Sequence, residues 1–218
     1  MVSFTEENYL KIIYKLCASG DNGATTNAIA QLTQTKPSSV SDMLKKMSDR
    51  QLVDYKKYQG VSLTEEGERL ALRVIRRHRL WEVFLVEKLS FAWDEVHELA
   101  EELEHIESEQ LIIRLDEFLG FPQFDPHGDP IPDQHGKITK VKKIKLTHIE
   151  EGLQYKIVGM EDTSDAFLQY LTKIGMDLSS KVTLVEKIEF DQSMVLNING
   201  KSTTVSHKFT ENVWVSEL

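Results

Sequence analysis

Apolar residues recur three and four positions apart through the first half of the chain and on alternate positions through much of its last third. That change of period predicts a helical part followed by a β part. In residues 4–17, Phe4, Leu10, Ile13, Tyr14 and Cys17 give the helical period, and Ser3 with Glu6 has capping-box spacing. "SGDNG" at 19–23 reads as a loop. Thr25 or Thr26 then caps a short helix with Ala28, Ile29 and Leu32 facing inward. Pro37 suits the first turn of a third helix, in which Val40, Met43, Leu44 and Met47 repeat at i, i+3, i+4 and i+7. "LVDYKKYQGVSLT" predicts two short strands around a turn at Gln59–Gly60, and Thr64 caps the long helix "EEGERLALRVIRRHRLWEVFLVEKL". A further helix is expected over "WDEVHELAEELEHIESEQ", residues 93–110, with Val96, Leu99, Leu103 and Ile106 as its apolar stripe.

Three helices and a hairpin predict a winged helix-turn-helix, whose second turn helix enters the DNA major groove. Its candidate DNA contacts are Thr26, Lys36, Ser38, Ser39, Ser41, Lys45 and Lys46, with Lys56 and Lys57 on the wing. Serines approach bases and phosphates closely, and lysines neutralise phosphates. A small helical domain with a solvated polar face would give a similar pattern, but the wing and its lysine pair favour DNA.

Residues 120–137 hold four of the five prolines and no apolar period, so they read as a linker or an ordered arm. His127 and His135 within it are expected at the surface. Beyond it, "KVKKIKL", "KVTLVEKIEF" and "MVLNINGKSTTVS" are strand-like. Asn199–Gly200 is a hairpin signal, and a helix over "SDAFLQYLTKIG" ends at Gly175. Short strands around one helix suggest a small SH3-type barrel. The expected fold class is therefore α+β and multidomain. A winged helix-turn-helix spans 1–64, a helical domain 65–120, a proline-rich linker 121–140 and the barrel 141–218.

Composition narrows the function. Neither a signal peptide nor a membrane span is legible, and the single Cys17 fits a reducing cytoplasm without disulfides. A net charge of −9 argues against non-specific nucleic-acid binding, yet the acid is uneven: Asp94 to Glu117 holds ten carboxylates and one cation, Arg114. Written as a helix, His97, Glu101, Glu104 and His105 share a face, and His78 and Glu82 lie one turn apart on the preceding helix. Carboxylates crowded beside a core call for a cation. Six nitrogen and oxygen ligands without a thiolate suit Mn, Fe or Zn, enough for two sites. "EELEH" also contains Glu102-x-x-His105, the spacing of di-iron carboxylate enzymes, but only one copy is present where two are needed.

These motifs carry a resemblance. "RRHRLWEVFLVEKL", "WDEVHELAEELEH" and "LGFPQFDPHGDPIP", together with "NYLKIIYKL", "PSSVSDMLKKM" and "YQGVSLTEEG", resemble the diphtheria-toxin-repressor family of metal-dependent transcriptional repressors. The similarity extends over essentially the whole chain. It implies a cytoplasmic homodimer on a palindromic double-stranded operator, with a helical metal-binding and dimerisation domain. The C-terminal SH3-like domain would be like that of ferrous-iron transport proteins. Metal would be the co-repressor for metal-uptake genes, at two sites per subunit. The resemblance places Asn8, Glu101, Glu104 and His105 in one site, with His78 bridging or in the neighbouring site. His78, Glu82 and His97 fall in the other. Glutamate rather than cysteine at 101 implies Mn²⁺, with Fe²⁺ the alternative. Asn8 stands where relatives carry aspartate or methionine. Lys11 stands where binuclear manganese regulators carry glutamate, which favours two separated sites. Of Glu161, Asp162 and Asp165, the last is the expected C-terminal contribution.

Overall fold

The computed structural model describes residues 2–18, 24–56, 60–139, 142–178 and 180–218; the 19–23 loop, Lys57 and Gln59 lie outside them. The chain forms two compact units. One comprises Met1–His78, Leu103–Glu107 and Pro132–Lys137; the other comprises Arg79–Glu102, Ser108–Ile131 and Ile138–Leu218.

The first unit opens with helix α1 (Phe4–Ala18), α2 (Thr26–Leu32) and α3 (Pro37–Asp49). The capping box at α1 closes as the spacing implied: Ser3 N donates to Glu6 Oε2 at 2.8 Å and Glu6 N to Ser3 Oγ at 3.4 Å. Thr25 Oγ1 accepts from Ala28 N to start α2, and Pro37 occupies the first turn of α3. Leu10, Ile13, Ile29, Val40, Leu44 and Met47 form the core. Strands β1 (Val53–Lys56) and β2 (Gly60–Leu63) pair antiparallel as the wing, Val53 opposite Leu63. Helix α4 (Glu65–Leu89) starts here, capped by Thr64 Oγ1 accepting from Gly67 N.

In the second unit α4 continues and is followed by α5 (Val96–Leu103) and α6 (Glu109–Phe118). The helix expected over 93–110 is thus two helices with a break. Ile106 N donates to Leu103 O in a tight turn, and Ser108 Oγ caps α6 by accepting from Leu111 N. Glu104, just past α5, is fully buried in its own unit, and the pairing of its carboxylate described below takes precedence over helix propagation. The proline-rich stretch is ordered. Ile131 N donates to Gln123 O, and Arg79 Nη1 reaches Pro130 O at 2.5 Å; in the first unit, Arg76 Nη1 reaches Pro132 O at 2.6 Å.

The C-terminal part adds β3 (Ile144–Lys145), a 3₁₀ turn (Leu146–His148), β4 (Gln154–Met160) and α7 (Asp165–Ile174). It continues through β5 (Lys181–Lys187), β6 (Met194–Ile198), β7 (Lys201–Val205), α8 (His207–Glu211) and β8 (Val213–Glu217). These strands make one antiparallel sheet in the order β3-β8-β4-β5-β6-β7, so the last strand inserts between the first two. Asn199 and Gly200 turn the β6–β7 hairpin with φ of 50° and 90°, and Gly175 ends α7 in the left-handed conformation. Tyr155, Ile157, Leu171, Val182, Leu196 and Val215 fill the core beneath the sheet. Among the described residues no helix is long and apolar enough to cross a membrane.

One close approach fixes the start of α4 against β1. A Cβ added at Gly67 would lie 1.9 Å from the Leu52 carbonyl oxygen. Gly67→Ala should therefore cost about 2–4 kcal/mol, measured by chemical denaturation. A loss below about 1 kcal/mol would show that the helix can shift freely from Leu52.

Candidate metal centre

In the first unit, Glu7, Asn8 and Lys11 come from α1, Arg77 and His78 from α4, and Glu104 and His105 from the turn that follows α5. Lys11 Nζ lies 2.6 and 2.8 Å from the two oxygens of Glu104, and His78 Nδ1 lies 2.6 Å from Glu104 Oε2. Burial works to raise the Glu104 carboxyl, but His78 and Lys11 outweigh it and hold it below the ordinary carboxylate range. His105 stacks on Phe4, and its Nδ1 meets Glu7 Oε2 at 2.7 Å. Glu7 is itself anchored by Arg77 at 2.5 Å. A carboxylate on Nδ1 keeps the proton there and leaves Nε2 as a donor atom, 4.0 Å from Glu104 Oε1. Asn8 Oδ1 is buried with no hydrogen-bond partner, an acceptor that a cation would satisfy.

α1 also reaches α3. Glu6 is buried and holds Arg50 at 2.7 Å and Lys46 at 3.4 Å. Burial alone would raise its carboxyl; the Ser3 backbone N–H and Arg50 outweigh that and hold it at about 2.

In the second unit, Glu82, Asp125 and His127 are all buried, with one ligand atom from each lying within 4.8 Å of the others. The loop at 124–130 builds this set: Asp125 Oδ1 accepts from His127 N at 2.8 Å and Asp129 N at 2.9 Å. Arg79 Nε lies 3.4 Å from Asp125 Oδ2. His127 Nε2 meets the Trp93 carbonyl at 2.8 Å. A carbonyl can only accept, so Nε2 carries a proton and Nδ1 faces Glu82 Oε1 at 3.6 Å. Burial, Glu82 and Asp129 push Asp125 up to about 7, with Arg79 and His127 acting against them. Burial works to lower His127, but Glu82 and Asp125 outweigh it and raise it to about 9. Two crowded carboxylates and an imidazole whose inward nitrogen is oriented from behind fit a divalent ion, and oxygen with nitrogen suits Mn²⁺ or Fe²⁺.

The site residues expected from the sequence divide between these surroundings. His78, Glu104 and His105 join the first cluster, and Asn8 lies one turn before Lys11 on α1. Glu82 joins the second, where His97 Nδ1 lies 3.4 Å from it, and Glu101 lies 3.6 Å from His97 on an exposed surface. Asp165 starts α7 and is exposed; Glu161 pairs with Lys145, and Asp162 accepts from Ser164 N. Sequence reasoning missed Glu7 and Asp125 and placed His127 at the surface, whereas His127 is buried. The available signal was "DPHGD", an Asp-x-His pair in a turn too rich in structure-forming residues for a passive linker. On the DNA side, Lys36, Ser38, Ser39, Lys45, Lys46 and Lys56 are exposed, and Thr26 and Ser41 are half-buried.

The chain matches the N-terminal DNA-binding domain of the iron-dependent repressors over residues 1–61. It matches their metal-binding and dimerisation domain over 64–133 and the FeoA domain over 144–217. It is 27% identical to the iron-dependent repressor IdeR of Mycobacterium leprae, across 98% of this chain and 97% of that protein. Among solved structures, a manganese-dependent transcriptional repressor in complex with manganese superposes with a TM-score of 0.87 at 34% identity, covering 97% of this chain and 99% of that one. The manganese regulator SloR gives 0.74 at 32% identity, covering 98% of each.

Because His127 is raised to about 9 and Asp125 to about 7, both hold protons near neutral pH that an incoming metal must displace. Mn²⁺ affinity of the second-unit set should thus rise with pH, by about tenfold per unit near pH 8, where His127 releases a proton, and more steeply below pH 7, where Asp125 releases one as well. Calorimetric titration in buffers of different ionisation enthalpy reads both the affinity and the protons released. A pH-independent affinity would remove His127 from the ligand set.

Proposed function

The chain belongs to the iron-dependent repressor family, whose members are DNA-binding, metal-responsive regulators and not enzymes, and we propose that it is a Mn²⁺-dependent repressor of metal-uptake genes. The observation that carries this reading is the pair of oxygen-rich donor sets, one of them built on the helix that also holds the DNA-reading helix. Glu82, Asp125 and His127, with His97 and Glu101 beside them, would hold one ion; Asn8, His78, Glu104 and His105 would hold the other. That gives two sites per subunit. Neither set offers a thiolate, which favours Mn²⁺ and leaves Fe²⁺ as the alternative. The similarity to a manganese-dependent repressor supports the first and that to IdeR the second.

A bound divalent cation supplies the positive charge that lets these buried carboxylates stay ionised together. The residues do the rest. Glu7 orients His105, and Lys11 presents α1 to Glu104. Glu6, one residue before, holds Arg50 and Lys46 of the α3 end. A change in how α1 seats on His78 and Glu104 is thereby passed to α3, whose outer face carries Ser38, Ser39 and Lys45. Ordering of this kind shifts the population toward the DNA-competent form. In the second unit, Leu111, Ile113, Phe118 and Phe121 expose apolar surface, which supports a homodimer. Two recognition helices related by a two-fold axis would read a palindromic operator in the cytoplasm.

Genomic fragments should be captured and sequenced with Mn²⁺, with anaerobic Fe²⁺ and with chelator. A palindrome enriched under Mn²⁺ is expected, with affinity tightened about 5–150-fold over chelator. Equal binding in chelator would contradict metal control. Lys36→Ala and Lys45→Ala should weaken binding and flatten its salt dependence by about 0.9 for each phosphate no longer neutralised. An unchanged slope would move the DNA-binding surface off α3.

A further inference from the structure

We propose that Lys11 is a tethered counter-cation in the Glu104–His78 pocket, and that its ammonium must withdraw before these groups can take a divalent ion, which sets the metal level the repressor needs. The inference rests on the first-unit donor set being a metal site. Lys11 Nζ sits on both Glu104 oxygens at 2.6 and 2.8 Å, and both side chains are buried. A metal bound by Glu104 would need the space that Nζ now fills. Two cations sharing one carboxylate at such distances repel strongly, so ammonium and metal exclude each other. Potential ligand atoms on α1 and on the Glu104–His105 turn are also left open with Lys11 in place. Asn8 Oδ1, three residues earlier on α1, is buried without a partner, and His105 Nε2 faces Glu104 from 4.0 Å. Those atoms mark donor positions beyond the Lys11–Glu104 pair. The flexible four-carbon stem of lysine lets the charge leave without moving the helix, which a short or branched residue would not allow.

The second-unit set differs in kind. Its cation is Arg79, whose Nε stands 3.4 Å from Asp125 and whose Nη atoms are engaged by Pro130 O and Asp129. That guanidinium is bound to the loop. DNA affinity follows the filling of the Lys11 pocket, since that pocket is the one on α1.

The test isolates the Lys11 pocket in a Glu82→Gln background of the full chain. Loss of the free Mn²⁺ electron paramagnetic resonance signal is titrated for that protein and for the same protein carrying Lys11→Gln, Lys11→Met or Lys11→Arg. Lys11→Gln keeps a donor to Glu104 without the charge, and guards against Lys11→Met failing to fold. Removal of the charge should tighten Mn²⁺ by roughly tenfold or more. It should also lower the melting temperature of the metal-free protein by about 5 °C or more, recovered by Mn²⁺. Lys11→Arg, with a fixed charge, should bind Mn²⁺ more weakly than the parent. Unchanged or weaker Mn²⁺ binding by folded Lys11→Gln overturns the inference alone. An otherwise wild-type chain that binds no Mn²⁺ overturns the functional reading, and the inference with it.

Discussion

Glu104 is a carboxylate with no exposed surface, and a buried charge has to be paired or neutralised. Much of the first unit follows from how that is done. Lys11 approaches from α1 and His78 from α4, so the two helices are held to the Glu104–His105 turn by charge-assisted hydrogen bonds as well as by apolar packing. The same demand explains why α5 stops at Leu103 although the sequence would let a helix run on. Breaking such a buried pair by removing one partner typically costs about 3–5 kcal/mol. The arrangement is therefore firm without metal, yet it is made of groups that can ligate one.

The two candidate centres solve one problem by different means. In each, an imidazole nitrogen is pinned from behind so that the other faces the carboxylates: His105 by the Glu7 carboxylate, His127 by the Trp93 carbonyl. The backing groups differ in charge. Glu7 adds an anion that Arg77 balances, whereas the Trp93 carbonyl adds none. Around His127, burial and the nearby carboxylate of Glu82 raise Asp125 to about 7. Around Glu104 an ammonium has already relieved that repulsion. One centre holds a proton on His127 that a metal must displace, and the other an ammonium tethered to α1.

What was legible in the sequence was local. Ser3 with Glu6, Pro37, Asn199–Gly200 and Gly175 each act through their own or neighbouring backbone, and each punctuates the structure where its chemistry predicts. The winged helix and the β character of the C-terminal part followed from periodicity, but β4 and β8 had no counterpart among the stretches read as strands. What was not legible depends on residues distant in the chain. The end of α5 is set by Lys11, 93 residues before Glu104. The burial of His127 needs Arg79 to hold the 124–130 loop and the Trp93 carbonyl to receive the ring. Insertion of β8 between β3 and β4 is a long-range pairing that no local pattern encodes. Lys11 was recognisable as a cation out of place among ligands, but its partner was not.

In the proposed mechanism α1 joins the candidate ligand cluster to α3 through adjacent residues, Glu6 on one side and Glu7, Asn8 and Lys11 on the other. Hydrogen–deuterium exchange of the full chain, followed by mass spectrometry with and without Mn²⁺, tests it most directly. Slower exchange is expected on adding Mn²⁺ in α1 and also in the C-terminal turn of α3 that carries Lys46 and leads to Arg50. Protection confined to the 124–131 loop and α4, with α1 and α3 unchanged, would contradict it.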